Sequence, residues 1–465
     1  MKKVLLLNPP GERLYIRDYF CSKVSQADYL THPVDFVVLS GILAGEYEVG
    51  LVDAIAEKLS PERALEAIRR FDPFAVICLF GSGRLTEDLA FAARVRSACP
   101  DARLVGIGDV FREGGGKYLG PASPLDALLL DFAAPDILSY LRGDPASAAN
   151  MLIRSGSEVL PLRQGTPGPR FEIPVPRHEL FSGRGYRHPF VRSRRFATVL
   201  TDYGCPFHCS FCVMGTLGFR SRAPESVMAE LEHIRSLGIT EVLFHTQTFG
   251  ARKDEARELC RLMISAGLGL GWTCFSRVDV ADPDLLSLMR EAGCHTVIFG
   301  VESGSDEILK KYGKGYTRGQ VVSAVDHCAA IGIETVGTFI LGLPEETHAT
   351  MRETLDLLRA IKLDYASINV AVPRMGTPLR EEAIAHGLVD GDFAVMDQSG
   401  AEVAMGSRSL SREEIAEYRR RAVSAFYFNT RYILRRLARV RSLYDLTRQV
   451  KQAAALAANT WFGEK

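Results

Sequence analysis

Cys205, Cys209 and Cys212 stand as C-x-x-x-C-x-x-C in TDYGCPFHCSFCVMG, directly after the apolar run ATVL. Three closely spaced thiolates suit a [4Fe–4S] cube that keeps one iron open, because a cube held entirely by protein needs a fourth. A structural zinc site also normally takes four ligands, with C-x-x-C as its usual half. Gly204 and Pro206 bend the loop as it leaves the strand, and the aromatic Phe211 precedes the last cysteine. A degraded zinc knuckle or unrelated cysteines are the blander readings. Further along, Arg277 ends an apolar run, where its fork of donors could pair with a carboxylate. Glu302 and Ser303 end another run, HTVIFGVES. His245 and His208 are acid/base candidates, although a histidine beside a cofactor is as often a spacer.

The elements that must position these residues are legible from 196 onward. A unit of about 30 residues recurs there: strand, turn, helix. The strands read as ATVLTDYG, TEVLFHT, LGWTCFSR, HTVIFGVES, ETVGTFILGLP and DYASINVAVP. Several intervening helices end in Gly, the expected stop. Six βα units over 196–378 predict an open (βα)6 barrel with chemistry at the carboxyl ends of its strands. The cysteines follow the first strand, as that rule requires.

Residues 1–143 alternate continuous apolar strands (KVLLLNPP, YEVGLVDAI, FAVICLFG, ARLVGIGDV, LDALLLDF) with amphipathic helical stretches. The pattern is α/β and predicts a doubly wound parallel sheet covered on both faces. Ligands of such sheets sit beyond the strands' carboxyl ends. Those ends carry Asn8, Pro9, Asp53, Ser82 between two glycines, and Gly106, Gly108 and Asp109, with Leu85 just beyond. Residues 144–195, rich in Pro, Gly and Arg, read as a linker. The segment 379–465 reads as a loop to about Ser407 and then two or three basic, aromatic-interleaved helices, a C-terminal helical cap.

The chain has 465 residues, 47% of them hydrophobic, enough for two or three domains. Its net charge of zero gives no reason to expect a nucleic-acid partner. No apolar stretch reaches the roughly 18–20 residues that span a bilayer. The opening MKKVLLLNPP lacks the apolar core of a signal peptide. The other seven cysteines are scattered and read as buried free thiols. With an oxygen-sensitive cluster, that predicts a reducing cytoplasm.

The cysteine motif, Gly300-Val-Glu302-Ser303 and Gly337-Thr-Phe-Ile340-Leu-Gly342-Leu-Pro344 together resemble the radical S-adenosylmethionine (SAM) superfamily. The resemblance implies that the three cysteines hold a [4Fe–4S] cluster whose open iron binds the amino and carboxylate groups of SAM. It implies that Glu302 and Ser303 hold the SAM ribose, and that Phe211, Ile340 and Gly342 pack near adenine. Gln247, at the end of the second strand, stands where many relatives have acidic residues and is the candidate for the amino group. Arg277 is the candidate for the SAM carboxylate.

The preceding domain resembles the cobalamin-binding class of this superfamily. The resemblance would place cobalamin against Asn8, Pro9, Asp53, Ser82, Leu85, Gly106, Gly108 and Asp109. No histidine from this domain is expected on cobalt, because the D-x-H-x-x-G motif is absent and His32 is not placed at such a motif. VPRMGTPL, DQSG and FYFNTRYILRRL resemble the branch with the anaerobic porphyrin cyclase and hopanoid methylases. That branch implies a large apolar small-molecule substrate, lipid or tetrapyrrole, methylated at an unactivated carbon via a 5′-deoxyadenosyl radical and methylcobalamin. Cyclisation, oxidation or rearrangement without methyl transfer is the alternative. Methylthiolation is disfavoured, since the first domain lacks a second cysteine triad. A flavodoxin- or ferredoxin-type electron donor is implied as partner. The basic C-terminal helices invite a peripheral membrane contact, though a solvated cap is the blander account.

Overall fold

The computed structural model describes residues 1–18, 23–24, 29–112, 114–163, 165, 168–391 and 403–437. Two sheets organise them. The first has strand order Glu48–Asp53, Lys3–Asn8, Ala75–Leu79, Arg103–Ile107, Ala127–Leu129, Met151–Ser155, Glu158–Val159. Its first five strands are parallel. The order reverses between Lys3–Asn8 and Ala75–Leu79, which is where doubly wound sheets open a crevice at their strand ends. Lys3–Asn8 and Ala75–Leu79 are buried almost throughout because helices such as Pro61–Phe71 and Leu85–Ala98 cover the sheet.

Two findings differ from the expectations for this half. Inside the expected linker 144–195, Met151–Ser155 and Glu158–Val159 form an antiparallel edge on the first sheet. Met151 and Ile153 point inward, but five alternating residues are too short a pattern to stand out in a Pro- and Gly-rich stretch. The second difference is a helix, Val34–Ala44, that the sequence reading did not single out. Ten of its eleven residues are buried, so it has no polar face and no helical periodicity to detect. It packs on both the first sheet and the strand Ala197–Val199. Gly41 is required there, since a Cβ would strike the backbone of Pro174 and Pro176.

The second sheet has six parallel strands in chain order: Ala197–Val199, Glu241–Phe244, Gly271–Ser276, Cys294–Glu302, Glu334–Leu341 and Tyr365–Val370. Helices between them make the open (βα)6 barrel. Local chemistry fixes their ends. Asp282 accepts from the Leu285 N–H, Thr317 and Thr347 form capping boxes, and Gly267 and Gly332 end helices in the left-handed conformation. Phe244, Phe249 and Trp272 pack in tilted and edge-to-face contact inside the wall.

After the barrel, a helix Pro378–Ala385 occupies part of the stretch expected to be loop-like to Ser407. Thr377 caps it and Pro378 starts it, but eight residues with two buried positions give little periodicity. Helices Arg412–Tyr427 and Thr430–Leu437 follow. The latter exposes Ile433, Leu434 and Leu437. DQSG and the basic segment after Leu437 lie outside the described residues, as does Cys21. No helix among the described residues is long and apolar enough to cross a membrane.

Candidate active site

The cysteine loop is an excursion from the first barrel strand, closed at its base by the antiparallel pairing of Asp202–Tyr203 with Arg220–Ser221. Gly204 sits at φ 72°, and a Cβ there would strike the Gly218 carbonyl, so only glycine permits the closure. Within the loop, Cys205 N–H bonds Met214 O at 3.1 Å and Cys212 N–H bonds Cys209 O at 2.9 Å. Ser210 N–H reaches Tyr312 O, and Ser210 O accepts from Leu379 N–H, which ties the loop to the rest of the barrel mouth.

All three cysteines are free thiols. Burial raises the Cys205 thiol and pushes that of Cys212 up to about 11. Iron must displace those protons on binding, so a cluster would provide the compensation that these desolvated sulfurs otherwise lack. The donor set, three free thiols on one short loop, fits a cube with an open corner. Two sulfurs already have donors nearby. Arg277 Nη1 lies 3.5 Å from Cys209 Sγ, and Thr248 Oγ1 lies 3.8 Å from Cys205 Sγ.

The predicted partners around the loop occupy distinct positions. Arg277 has its guanidinium over the Phe207 ring at 3.8 Å, and Asp279 accepts from two of its nitrogens at 3.0 and 2.9 Å. Its Nη2 also donates to Lys314 O. Glu302 is buried at the end of the fourth strand, in the left-handed region at φ 65°, beside a register shift. Lys314 Nζ bonds its Oε1 at 3.2 Å. Burial raises the Glu302 carboxyl, and Lys314 opposes that rise. Ser303 lies 3.2 Å from Thr354 Oγ1 and accepts from the Ser305 N–H, so it braces the strand end on a helix. Phe211 and Ile340 share one apolar cluster with Tyr312, Leu343, Ala371 and Met405. Gly342 is at φ 88°, and its N–H donates to Glu346 at 2.6 Å. Gln247 is half-buried just after the second strand. His245 Nε2 lies 3.5 Å from Asp18 Oδ2.

The first sheet's strand ends face this mouth. The Asp18–His245 contact, Arg112 to Thr216 at 3.4 Å and Arg220 to Asp131 at 2.8 Å all cross between the two sets of loops. One continuous apolar cluster runs from Val4 and Leu6 through Tyr203 and Met214 and packs against Cys205 and Cys212. At the switch point, buried Arg17 bonds Asp88 at 2.9 and 2.6 Å, Asn8 Oδ1 at 2.9 Å and Pro9 O at 2.9 Å. Asn8 in turn donates to Asp53, which also accepts from Tyr186 at 2.6 Å. Ser82 donates to Asp109 through its N–H and hydroxyl. Leu85 begins the helix Leu85–Ala98 and packs on the sheet. Gly106 and Gly108 are required by packing: a Cβ would strike Leu128 and Phe111 at the first and the Phe80 carbonyl at the second.

His32 is not part of this face. Its Nδ1 is 2.9 Å from Thr198 Oγ1, its ring lies among Tyr186, Phe181 and Phe196, and burial lowers it to about 3. The face offers small polar groups and backbone, and a corrinoid held there would have no ligand from His32.

Sequence reasoning missed Lys314, Thr248, Asp202 and Asp88. A lysine between two glycines (Gly313-Lys314-Gly315) after a short helix was the one available signal. Arg17 and Asp88 are 71 residues apart, and their pairing has no local signature.

Residues 199–358 match the model of the radical SAM superfamily. The chain is 28% identical to an uncharacterized methyltransferase of Pyrococcus horikoshii, over 93% of this chain and 94% of that one. It is 28% identical to a cytidylyl-2-hydroxyethylphosphonate methyltransferase of Streptomyces wedmorensis, over 51% and 47%. Its fold is that of the radical SAM methyltransferase TsrM from Kitasatospora setae, solved with cobalamin and a [4Fe–4S] cluster: TM-score 0.67, 18% identity, covering 98% of this chain and all of that one. The cobalamin-dependent radical SAM enzyme OxsB has the same fold, at TM-score 0.65 and 15% identity, over 98% of this chain and 72% of that one.

Proposed function

We propose that this chain, which carries a radical SAM domain, is a cobalamin-dependent methyltransferase acting on an unactivated carbon of a large apolar small molecule. The observation that carries the reading is the facing of two strand-end surfaces, one bearing three free thiols and the other the switch point of a doubly wound sheet, joined by Asp18–His245. When bound, the cluster would supply an electron to cleave SAM, and the corrinoid a methyl group to transfer. Cys205, Cys209 and Cys212 would hold the cluster. Phe211, Ile340 and Leu343 would give the nucleoside an apolar wall and exclude water from the radical. Glu302 is an acceptor for hydroxyls, held in place by Lys314. A ferredoxin- or flavodoxin-type donor would reduce the cluster.

The test uses anaerobically purified protein from cells supplied with cobalamin. Bound iron, sulfide and corrinoid are quantified, and candidate apolar substrates are incubated with methyl-deuterated SAM. Near-stoichiometric corrinoid and a deuterated methyl group in the product are expected. An unlabelled product would sink methyl transfer.

A second reading, radical chemistry without methyl transfer, is favoured by one observation: Asn8, Asp53, Ser82 and Asp109 already bond within the chain. Cluster without corrinoid, and deoxyadenosine without S-adenosylhomocysteine, would select it.

A further inference from the structure

A short hydrogen-bonded relay ends on one cysteine sulfur. Asp202, three residues before Cys205, is buried at the base of the cysteine loop. Thr246 Oγ1 donates to Asp202 Oδ2, which also accepts from Thr201 Oγ1 at 2.8 Å. A carboxylate only accepts, so the Thr246 proton points at Asp202. The Thr246 oxygen is left to accept, and the Thr248 N–H supplies its bond at 3.3 Å. That bond fixes the Thr248 backbone, and Thr248 Oγ1 comes 3.8 Å from Cys205 Sγ. Thr246 and Thr248 are both buried, so water does not compete for these groups. The relay lies beside a cavity of about 40 Å³ that runs under the helices Pro224–Ser236 and Lys253–Ala266.

We propose that Thr248 tunes the redox potential of the metal cluster by donating its hydroxyl hydrogen bond to the Cys205 sulfur, with Asp202 and Thr246 as positioning residues. The inference rests on the cluster reading above. A thiolate bound to iron has no proton to give, so in the loaded protein the hydroxyl is the donor. A hydrogen bond to a ligand sulfur withdraws electron density and stabilises the reduced cluster. The donors are unequal: a neutral hydroxyl at Cys205 and the Arg277 guanidinium at Cys209.

The experiment is a redox titration of anaerobically loaded protein, read by electron paramagnetic resonance, with iron and sulfide measured on each sample. Thr248→Val removes the donor at nearly constant shape, and Thr248→Ser restores it. The expected result is a fall of about tenfold in the reduced-to-oxidised ratio of T248V at a fixed poise, ~59 mV for a one-electron couple. T248S should stay within about twofold of the parent. Equal potentials for T248V and the parent would overturn the inference. If T248V does not load, Thr248→Ala replaces it. Loading in T248S but in neither hydroxyl-free variant supports the bond, whereas failure in all three overturns it. Absence of iron and sulfide from the parent would instead overturn the cluster reading.

Discussion

The barrel mouth and the strand ends of the first sheet both bring polar side chains to a buried surface, and they dispose of them differently. In the first sheet the groups close on one another: Arg17 bonds Asp88, Asn8 and the Pro9 carbonyl, Asn8 bonds Asp53, and Ser82 bonds Asp109. At the mouth, burial desolvates the thiols of Cys205 and Cys212, Glu302 holds a left-handed backbone, and Lys314 is its buried counter-charge. A self-satisfied network is a scaffold; a strained and incompletely compensated one is where a ligand can contribute free energy. The first surface is therefore preorganised, its polar groups held in place by one another, while the second has more free energy to gain from a group that it receives.

The largest effect expected from this contrast is at the cysteines. Cys209→Ala should abolish cluster loading and all SAM cleavage, measured as iron and sulfide content and deoxyadenosine formation, while the melting profile of the first domain stays intact. Retained turnover would remove radical SAM chemistry altogether.

Breaking one ion pair in each region sharpens the difference. Arg17→Met leaves Asp88 charged and almost fully buried, and should cost about 3–5 kcal/mol of stability in denaturant unfolding. Its metal content, once folded, should match the parent. Lys314→Met should cost a similar amount, its loss must depend on pH, and unlike Arg17→Met it should also lower SAM affinity. Glu302 is already raised above its usual 4.5 by burial, so without Lys314 it rises further. The variant is then least impaired near pH 4.5 and loses stability as pH increases and the buried carboxylate must ionise. A pH-independent deficit would show that the pair does not behave as a buried charge pair.

Glu346→Gln gives the smallest expected change. Burial pushes the Glu346 carboxyl up to about 7, although it accepts from the N–H groups of Gly342 and Leu343. A raised carboxyl favours the folded state while protonated, so that stability is full below about 4.5 and falls as pH rises to 7. The loss amounts to about 3 kcal/mol. Glutamine should remove this slope, making the variant the more stable protein at pH 8. Parallel stability–pH curves for the two would contradict the assignment.

Most of the architecture was legible because its signals are local. The run of apolar strands, the Thr and Asp caps and the terminal Gly residues state the barrel one unit at a time, and three cysteines within eight residues mark the candidate site. The helix Val34–Ala44 and the edge strand Met151–Ser155 were not legible: one is buried all round and has no period, the other is too short for its alternation to emerge. Arg277 was legible as a residue at a strand end, but its engagement with Asp279, Phe207 and Cys209 was not.

By itself, then, the sequence determined the candidate cluster motif and the order of the elements, since both rest on residues close together in the chain. Tertiary structure alone decided that two strand-end surfaces face each other, that Arg17 meets Asp88, that Lys314 meets Glu302 and that Thr248 reaches Cys205. Those pairings are 71, 12 and 43 residues apart. Their geometry is set by how helices and sheets pack, and no periodicity along the chain encodes it.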